Sequence, residues 1–330
     1  MKPVIHKPVV DKPGIDKPVI GVIGLGIMGS AMAGALIEAG YTVVGTDPLA
    51  DARARLKRMG GRPLGSGAAV ARDADILITS LPTVAALDAV VAEIAPRGGP
   101  RARRRAVVIE TSTLPIADKE RALAALAKAG LALLDCPISG TAARLKQGAW
   151  TMFVSGAAAA ARKVAPVLAV FTGNAPYVGA FGNGSKMKFI ANHLVAIYNV
   201  SVGESLTFAR RMGLDAQQVW DLFAASPIIG TGVFRLRGKQ MVERKYLPAT
   251  MKVEVWQKDM QVIGDMARAV DCPVPLFSAC LPIYNAAMAQ GLSQHDTASV
   301  CEVLDAMAGG GGATRGRKSH GRSRAGAKLR

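Results

Sequence analysis

Cysteine, histidine and acidic side chains are scarce in this chain, and long apolar runs are missing altogether. Its 330 residues include four cysteines and four histidines. Cys136, Cys272, Cys280 and Cys301 form no C-x-x-C pair, so they read as buried or free thiols of a reducing compartment, not as a disulfide framework. His6, His193, His295 and His320 lack metal-ligand spacing to each other or to cysteine, so no metal site is expected. No stretch reaches the ~18 consecutive apolar residues of a membrane span. The opening residues repeat a Lys-Pro step (Lys2-Pro3, Lys7-Pro8, Lys12-Pro13, Lys17-Pro18), which interrupts every apolar stretch and argues against a secretory signal. Neither a nucleophile elbow nor a Walker-type lysine loop occurs. The expectation is a cytoplasmic protein with no membrane partner.

Basic residues are in excess, 41 Lys and Arg against 24 Asp and Glu, for a net charge of +17. Much of that excess sits in two stretches. One is Arg97, Arg101, Arg103, Arg104 and Arg105. The other is Arg315, Arg317, Lys318, Arg322, Arg324, Lys328 and Arg330. A solvated loop and tail is the plain reading, and an electrostatic grip on nucleic acid is the sharper but less favoured one. Residues 1–17 are too proline-rich for a helix and read as an extended, unpacked arm. Residues 309–330 have almost nothing to bury and read as a disordered basic tail. Half of the chain is apolar, enough for two cores in between.

Over 18–181 short apolar strands alternate with helices. Val19–Gly24, Tyr41–Thr46, Asp75–Leu81, Ala106–Thr111, Leu131–Asp135 and Trp150–Ser155 read as strands. Met28–Gly40, Pro115–Gly130 and Ala157–Val170 read as helices. Continuous apolar strands in such an alternation indicate a parallel sheet covered on both faces, an α/β doubly wound fold. From Ser185 onward only helices are predicted: Ser185–Met212, Ala216–Ala224, Leu236–Arg244, Lys252–Val270, Leu276–Gln290 and Thr297–Met307. Residues 182–308 thus form an all-helical second domain.

The first strand runs into Gly24, Leu25, Gly26, Ile27, Met28 and Gly29, and a helix follows. This is the G-x-G-x-x-G fingerprint in its required setting. Gly24 permits the tight turn, Gly26 lets backbone N–H groups approach a pyrophosphate, and Gly29 lets the helix pack closely. The helix N-terminus then faces the anion. Asp47 ends the second strand about 20 residues on, where a carboxylate accepts bonds from ribose hydroxyls and repels a 2′-phosphate. That favours NAD, with NADP the alternative because Arg53 and Arg55 stand close by. Asp47 as a simple cap before Pro48 is the plain reading.

On the long helix predicted from Ser185, Lys188 and Asn192 are four apart and share a face, while Lys186 points nearly opposite. Gly182 and Gly184 just upstream allow close backbone approach. Taken alone, this segment fits an exposed lysine on a linker helix as well as a functional amine.

Together these stretches resemble the β-hydroxyacid dehydrogenase family, which includes 3-hydroxyisobutyrate dehydrogenases and tartronate semialdehyde reductases. The matching residues are Gly24 to Gly29, Leu81 to Thr83, Glu110 to Thr113, Asp135 to Gly140, the Gly184, Lys188 and Asn192 helix, and Lys258 to Met260. They occur in family order and cover nearly all of 18–308. The resemblance implies a Rossmann-type N-terminal domain and a C-terminal domain of the 6-phosphogluconate dehydrogenase type. It implies Lys188 as catalytic acid/base, and Ser139 and Gly140 as holders of the substrate carboxylate, with Thr141 and Ser112 beside them. Asn192 would orient the substrate. Leu81, Pro82, Thr113 and Lys258 would line the cofactor. It also implies a homodimer or homotetramer and a small carboxylate substrate, a 3-hydroxy acid or its semialdehyde.

Two departures stand out. The family usually reads Ser-Gly-Gly where this chain has Ser139, Gly140 and Thr141, which narrows the pocket or adds a hydrogen bond. Ala191 replaces the first of two asparagines, at the position where phosphogluconate dehydrogenases carry histidine, and so speaks against their decarboxylating chemistry. Two alternatives remain. One is a non-catalytic DNA- or chromatin-associated member of the fold, supported by the basic tail and opposed by Lys188 and Asn192. The other is a reductase of imines or sugar acids.

Overall fold

Four short strands rich in branched side chains lie side by side at the centre of the N-terminal half. They are β1 (Ile20–Ile23), β4 (Ile76–Thr79), β5 (Val107–Glu110) and β6 (Ala132–Asp135). Residues on each alternate between two separate apolar clusters. Ile20, Val22, Ile76, Ile78, Val107, Ile109 and Leu134 pack on one face. Ile23, Leu77, Val108 and Leu133 pack on the other. A strand sends successive side chains to opposite faces, so an unbroken apolar run is what a strand covered on both sides requires.

The computed structural model describes residues 17–95, 106–142, 145 and 148–309. The Lys-Pro arm, the Arg97–Arg105 stretch and the basic tail therefore fall almost wholly outside the described residues. With β2 (Val43–Thr46), β3 (Arg62–Pro63) and β9 (Ser155–Gly156), the sheet has the order β3-β2-β1-β4-β5-β6-β9. All neighbours are parallel except β6 and β9. The strand expected over Trp150–Ser155 is in fact two pieces. β8 (Thr151–Met152) pairs with β7 (Ile138–Ser139) in a separate hairpin, and β9 joins the main sheet. Short helices α2 (Ala50–Arg58), α3 (Gly67–Asp73) and α4 (Val84–Ile94) connect the strands beside α1 (Ile27–Glu38), α5 (Ile116–Lys128) and α6 (Ala158–Leu168). The order reverses between β1 and β4, which opens a crevice at their carboxyl ends, the ligand site of doubly wound sheets.

From α7 (Asn183–Arg211) to residue 309 the described elements are all helices. Twenty-nine residues make α7 roughly 44 Å long at 1.5 Å per residue. Against it pack α10 (Val253–Ala269), α11 (Pro275–Ala289) and α12 (Val300–Met307). Phe189, Ala196, Leu206, Trp256, Met260, Phe277 and Tyr284 form the shared core. α8 (Ala216–Ala224) and α9 (Lys239–Glu243) flank it, and a π-helical turn at Phe234–Gly238 replaces the regular start expected near Leu236. The first turns of α7 also lie against β6 and β7. One helix thereby carries the C-terminal half and touches the sheet. No described helix is long and apolar enough to cross a membrane.

Candidate active site

The glycine loop closes the crevice from one side. Gly24 has φ +90°, and a Cβ there would stand 2.3 Å from the Ser80 carbonyl oxygen. A Cβ on Gly29 would stand 1.9 Å from the Gly24 carbonyl oxygen. Both positions therefore exclude larger residues. A Cβ on Gly26 would meet nothing within 4 Å, so this position borders open space. Gly26 caps α1 without a side-chain hydrogen bond, and no acidic residue stands in the first turn. An uncapped helix start beside open space suits a pyrophosphate, so the residues fit a nicotinamide dinucleotide.

Asp47 sits at the end of β2 and engages the same loop. Its Oδ2 accepts from the Leu25 amide at 2.7 Å and its Oδ1 from the Leu49 amide at 2.9 Å. The local turn and the link to the glycine loop coexist in one carboxylate. Arg53 donates to the Pro48 carbonyl at 3.0 Å, and Arg55 to the Leu25 carbonyl at 2.6 Å and Ser30 Oγ at 3.1 Å. Both guanidinium groups are thus tied to the protein.

Across the crevice, Ser112 Oγ accepts from the Leu81 amide at 2.8 Å, joining the loops after β4 and β5. The next residue, Thr113, offers its carbonyl to Lys258 Nζ at 2.6 Å. Lys258 also pairs with Asp259 Oδ1 at 3.2 Å, and Asp259 Oδ2 accepts from Asn192 Nδ2 at 2.8 Å. A single polar chain thus runs from Leu81 through Ser112, Thr113, Lys258 and Asp259 to Asn192. It brings together residues separated by more than a hundred positions in sequence.

Lys188 and Lys186 part as helical spacing requires. Lys186 is exposed, whereas Lys188 is 8% exposed and on the buried side with Asn192. None of the described residues forms a hydrogen bond or ion pair with the Lys188 amine. Burial lowers its pKa to about 8, against the pull of Asp259 and with help from the positive charges of Lys258 and Arg237. Arg237 is itself paired with Asp296 at 3.1 Å and with Asn199 at 3.2 Å. Lys188, Lys258 and Asp259 then leave one net positive charge, which favours an anionic ligand.

Ser139 ends β7 and is half-buried, Gly140 is exposed, and the Thr141 carbonyl accepts from Trp150 Nε1 at 2.7 Å. Thr141 Oγ1 is buried with no hydrogen-bond partner among the described residues. Because α7 lies against β7, Ser139 and the lysine helix share one wall. His193 stacks on Phe277 with ring centroids 5.4 Å apart, a packing role. Lys239 is a surface residue facing Glu243 at 3.8 Å. Cys136, Cys280 and Cys301 are buried free thiols and Cys272 an exposed one.

Sequence reasoning gave Asp259 no role, although it adjoins Lys258. It also missed Lys119, which is fully buried between Glu110 at 2.5 Å and Asp135 at 2.8 Å. The signal was present. Ile116, Lys119, Ala122 and Leu126 are the buried residues of α5, spaced three or four apart, so Lys119 falls on its apolar face.

Comparison with known proteins agrees with this geometry. Residues 19–179 match the family described as the NAD binding domain of 6-phosphogluconate dehydrogenase. Residues 182–304 match the one described as NAD-binding of NADP-dependent 3-hydroxyisobutyrate dehydrogenase. The chain is 30% identical to L-threonate dehydrogenase of Cupriavidus necator, over 82% of this chain and 90% of that protein. It is 28% identical to human mitochondrial 3-hydroxyisobutyrate dehydrogenase, over 82% of this chain and 81% of that one. The crystal structure of a 3-hydroxyisobutyrate dehydrogenase from Salmonella typhimurium superimposes with a TM-score of 0.75 at 28% identity, covering 86% of this chain and 99% of that one. Sheet, crevice, lysine helix and relatives agree, and the chain belongs to the β-hydroxyacid dehydrogenase family of NAD(P)-dependent oxidoreductases.

Proposed function

We propose that this protein oxidises a small 3-hydroxy acid, or reduces the matching semialdehyde acid, with Lys188 as general acid/base and NAD as the preferred cofactor. The observation that carries the reading is the buried Lys188 amine, unpaired among the described residues and held at a pKa of about 8, on the helix face it shares with Asn192. An alcohol cannot lose hydride from carbon unless its hydroxyl proton leaves to a base. An ordinary lysine, with a pKa near 10.4, stays protonated at neutral pH, whereas one near 8 exchanges a proton readily. In the reductive direction the same ammonium donates to the carbonyl oxygen.

Gly24, Gly26, Ile27, Met28 and Gly29 would hold the pyrophosphate, with Leu25, Leu81, Pro82, Thr113 and Lys258 along the dinucleotide. When bound, that cofactor accepts or supplies the hydride. Asp47 would accept from the adenosine ribose, while Arg53 and Arg55, held on the Pro48 and Leu25 carbonyls, would have to leave those bonds to reach a 2′-phosphate. Ser139 and the Gly140 amide would hold the substrate carboxylate, with Ser112 and Thr141 bounding the pocket. Asn192, turned by Asp259, would orient the hydroxyl. Relatives named for L-threonate and 3-hydroxyisobutyrate support a small hydroxylated carboxylic acid as substrate.

The test is a panel of 3-hydroxy acids and aldehyde acids, each with NAD(H) and NADP(H), followed by absorbance of the reduced cofactor. Turnover of at least one short acid with NAD is expected. A panel silent with both cofactors would remove the proposal.

A further inference from the structure

We infer that Lys119 is a positioning residue: its buried ammonium ties the loop after β5 to the capped start of α7 and thereby fixes where Lys188 stands. The inference rests on the reading of Lys188 as the acid/base.

Three oxygens surround the ammonium. It donates to the Ser112 carbonyl at 2.6 Å and to Asp135 Oδ1 at 2.8 Å, and lies 2.5 Å from Glu110 Oε2. Lysine, Glu110 and Asp135 are each fully buried. Burial alone would lower the lysine pKa, but the two carboxylates outweigh it and hold the group charged above the ordinary lysine range. One cation among two anions leaves a net negative charge, and it sits at the start of α7. Asp135 Oδ2 accepts from the Ser185 amide at 2.7 Å, and Asp135 Oδ1 from Ser185 Oγ at 2.8 Å. Ser155 Oγ donates to Asp135 Oδ2 at 3.2 Å and accepts from the Gly184 amide at 3.0 Å. The helix start thus meets a buried carboxylate, the charge its dipole favours. Gly184 makes this approach achievable, since a Cβ there would lie 2.5 Å from the Phe153 carbonyl oxygen and 2.6 Å from that of Asp135.

Lys188 follows Ser185 by three residues, less than one helical turn, so the anchor of the helix start fixes its depth. The other arm of Lys119 holds Ser112, the residue before the carbonyl that binds Lys258. One side chain therefore reaches both walls of the crevice. A buried ion cluster contributes little to stability when an apolar replacement of similar volume would serve, which makes a geometric role the better account of this one.

The test uses the full chain with two variants. Lys119→Met with Glu110→Gln removes one cation and one anion together and leaves Asp135 its bonds from Ser185 and Ser155. Ser185→Ala removes one bond to Asp135 and alters no charge. Turnover per folded molecule should fall about 10²-fold in the double variant, the scale of an ångström-sized misplacement. Looser anchoring admits water, so the limb of the pH–rate profile that reports Lys188 should move up from about 8. The groups facing Lys188, namely Asp259, Lys258 and Arg237, are unchanged in both variants. Backbone amides of 184–188 should exchange hydrogen faster. Ser185→Ala should show smaller changes of the same sign, and it decides alone should the double variant fail to fold. Parent-like turnover, pH limb and exchange in a folded variant would overturn the inference. A native chain that turns over no acid would instead remove the functional reading, while the exchange rates would still decide whether Lys119 anchors the helix.

Discussion

The Asn192 side-chain amide donates to Asp259 Oδ2 at 2.8 Å, with both residues buried, and so joins α7 to α10. Asp259 does two things at once. It orients the amide of Asn192, and its negative charge favours the protonated form of Lys188. Asp259→Asn keeps an oxygen able to accept from Asn192 and deletes the charge. The Lys188 pKa should then fall below about 8, since the main opposition to burial is lost. Oxidation should retain its rate to lower pH, and reduction at neutral pH should slow for want of a proton. Initial rates in both directions across the neutral and alkaline range check this, and an unmoved profile would dissociate Asp259 from the amine.

How far this site was legible depends on the distance over which each signal acts. The glycine loop, the branched strands and the Lys188–Asn192 pair are local patterns, and each shows in a few consecutive residues. Helices α2 and α3 were harder to see. α2 buries only Ala52 and Leu56 and carries Asp51, Arg53, Arg55, Lys57 and Arg58. The break of Trp150–Ser155 into β8 and β9 depends on partners at Ile138 and Leu134, which periodicity does not reveal. Asp259 and Lys119 act through contacts 67 and 16 residues away, with Asn192 and Asp135. A charged residue on an apolar helix face is readable, but its counter-charges on other elements are not.

On the proposed reading, Asp47 would link cofactor choice to the shape of the glycine loop. Its carboxylate already accepts from the Leu25 amide, so Asp47→Ser removes both that bond and the negative charge that would face the ribose. A hydrogen bond to a charged group contributes about 1.5–3 kcal/mol, so NAD(H) should bind roughly tenfold or more weakly. NADP(H) should lose less, because repulsion of its 2′-phosphate disappears. Titration of cofactor fluorescence with both reduced dinucleotides measures the ratio. Equal losses for the two would mean that Asp47 serves only the loop.

The turn after β7 ought to set substrate size. Gly140 has φ +148°, and a Cβ there would come within 2.5 Å of the Trp150 ring. Gly140→Ala should therefore displace Ser139 or Trp150 and weaken carboxylate binding, seen as a raised KM. Thr141→Gly removes a buried hydroxyl that has no partner among the described residues. It should widen the pocket and shift the panel toward longer acids with little change in the best kcat. A panel unchanged by Thr141→Gly would place that side chain away from the substrate.

Lys188→Met separates chemistry from stability. General acid–base catalysis supplies about 10²–10⁴-fold, so turnover should fall by that much while cofactor affinity persists. Stability should move the other way. In the unfolded chain Lys188 titrates near 10.5, and in the folded chain near 8, so folding must expel a proton or bury a charge at neutral pH. The sign follows from linkage: between these two values the unfolded state binds more protons, and stability rises with pH. The cost is complete below about 8 and gone above about 10.5. Methionine, with similar length and no charge, escapes it. The variant should be more stable than the parent by on the order of 3 kcal/mol at pH 7, at 1.36 kcal/mol per pKa unit. That advantage should vanish as pH passes 10.5. Urea unfolding of both proteins at neutral and alkaline pH measures the difference. An advantage that is the same at both would come from packing, and would mean that the surroundings do not lower the pKa of the amine.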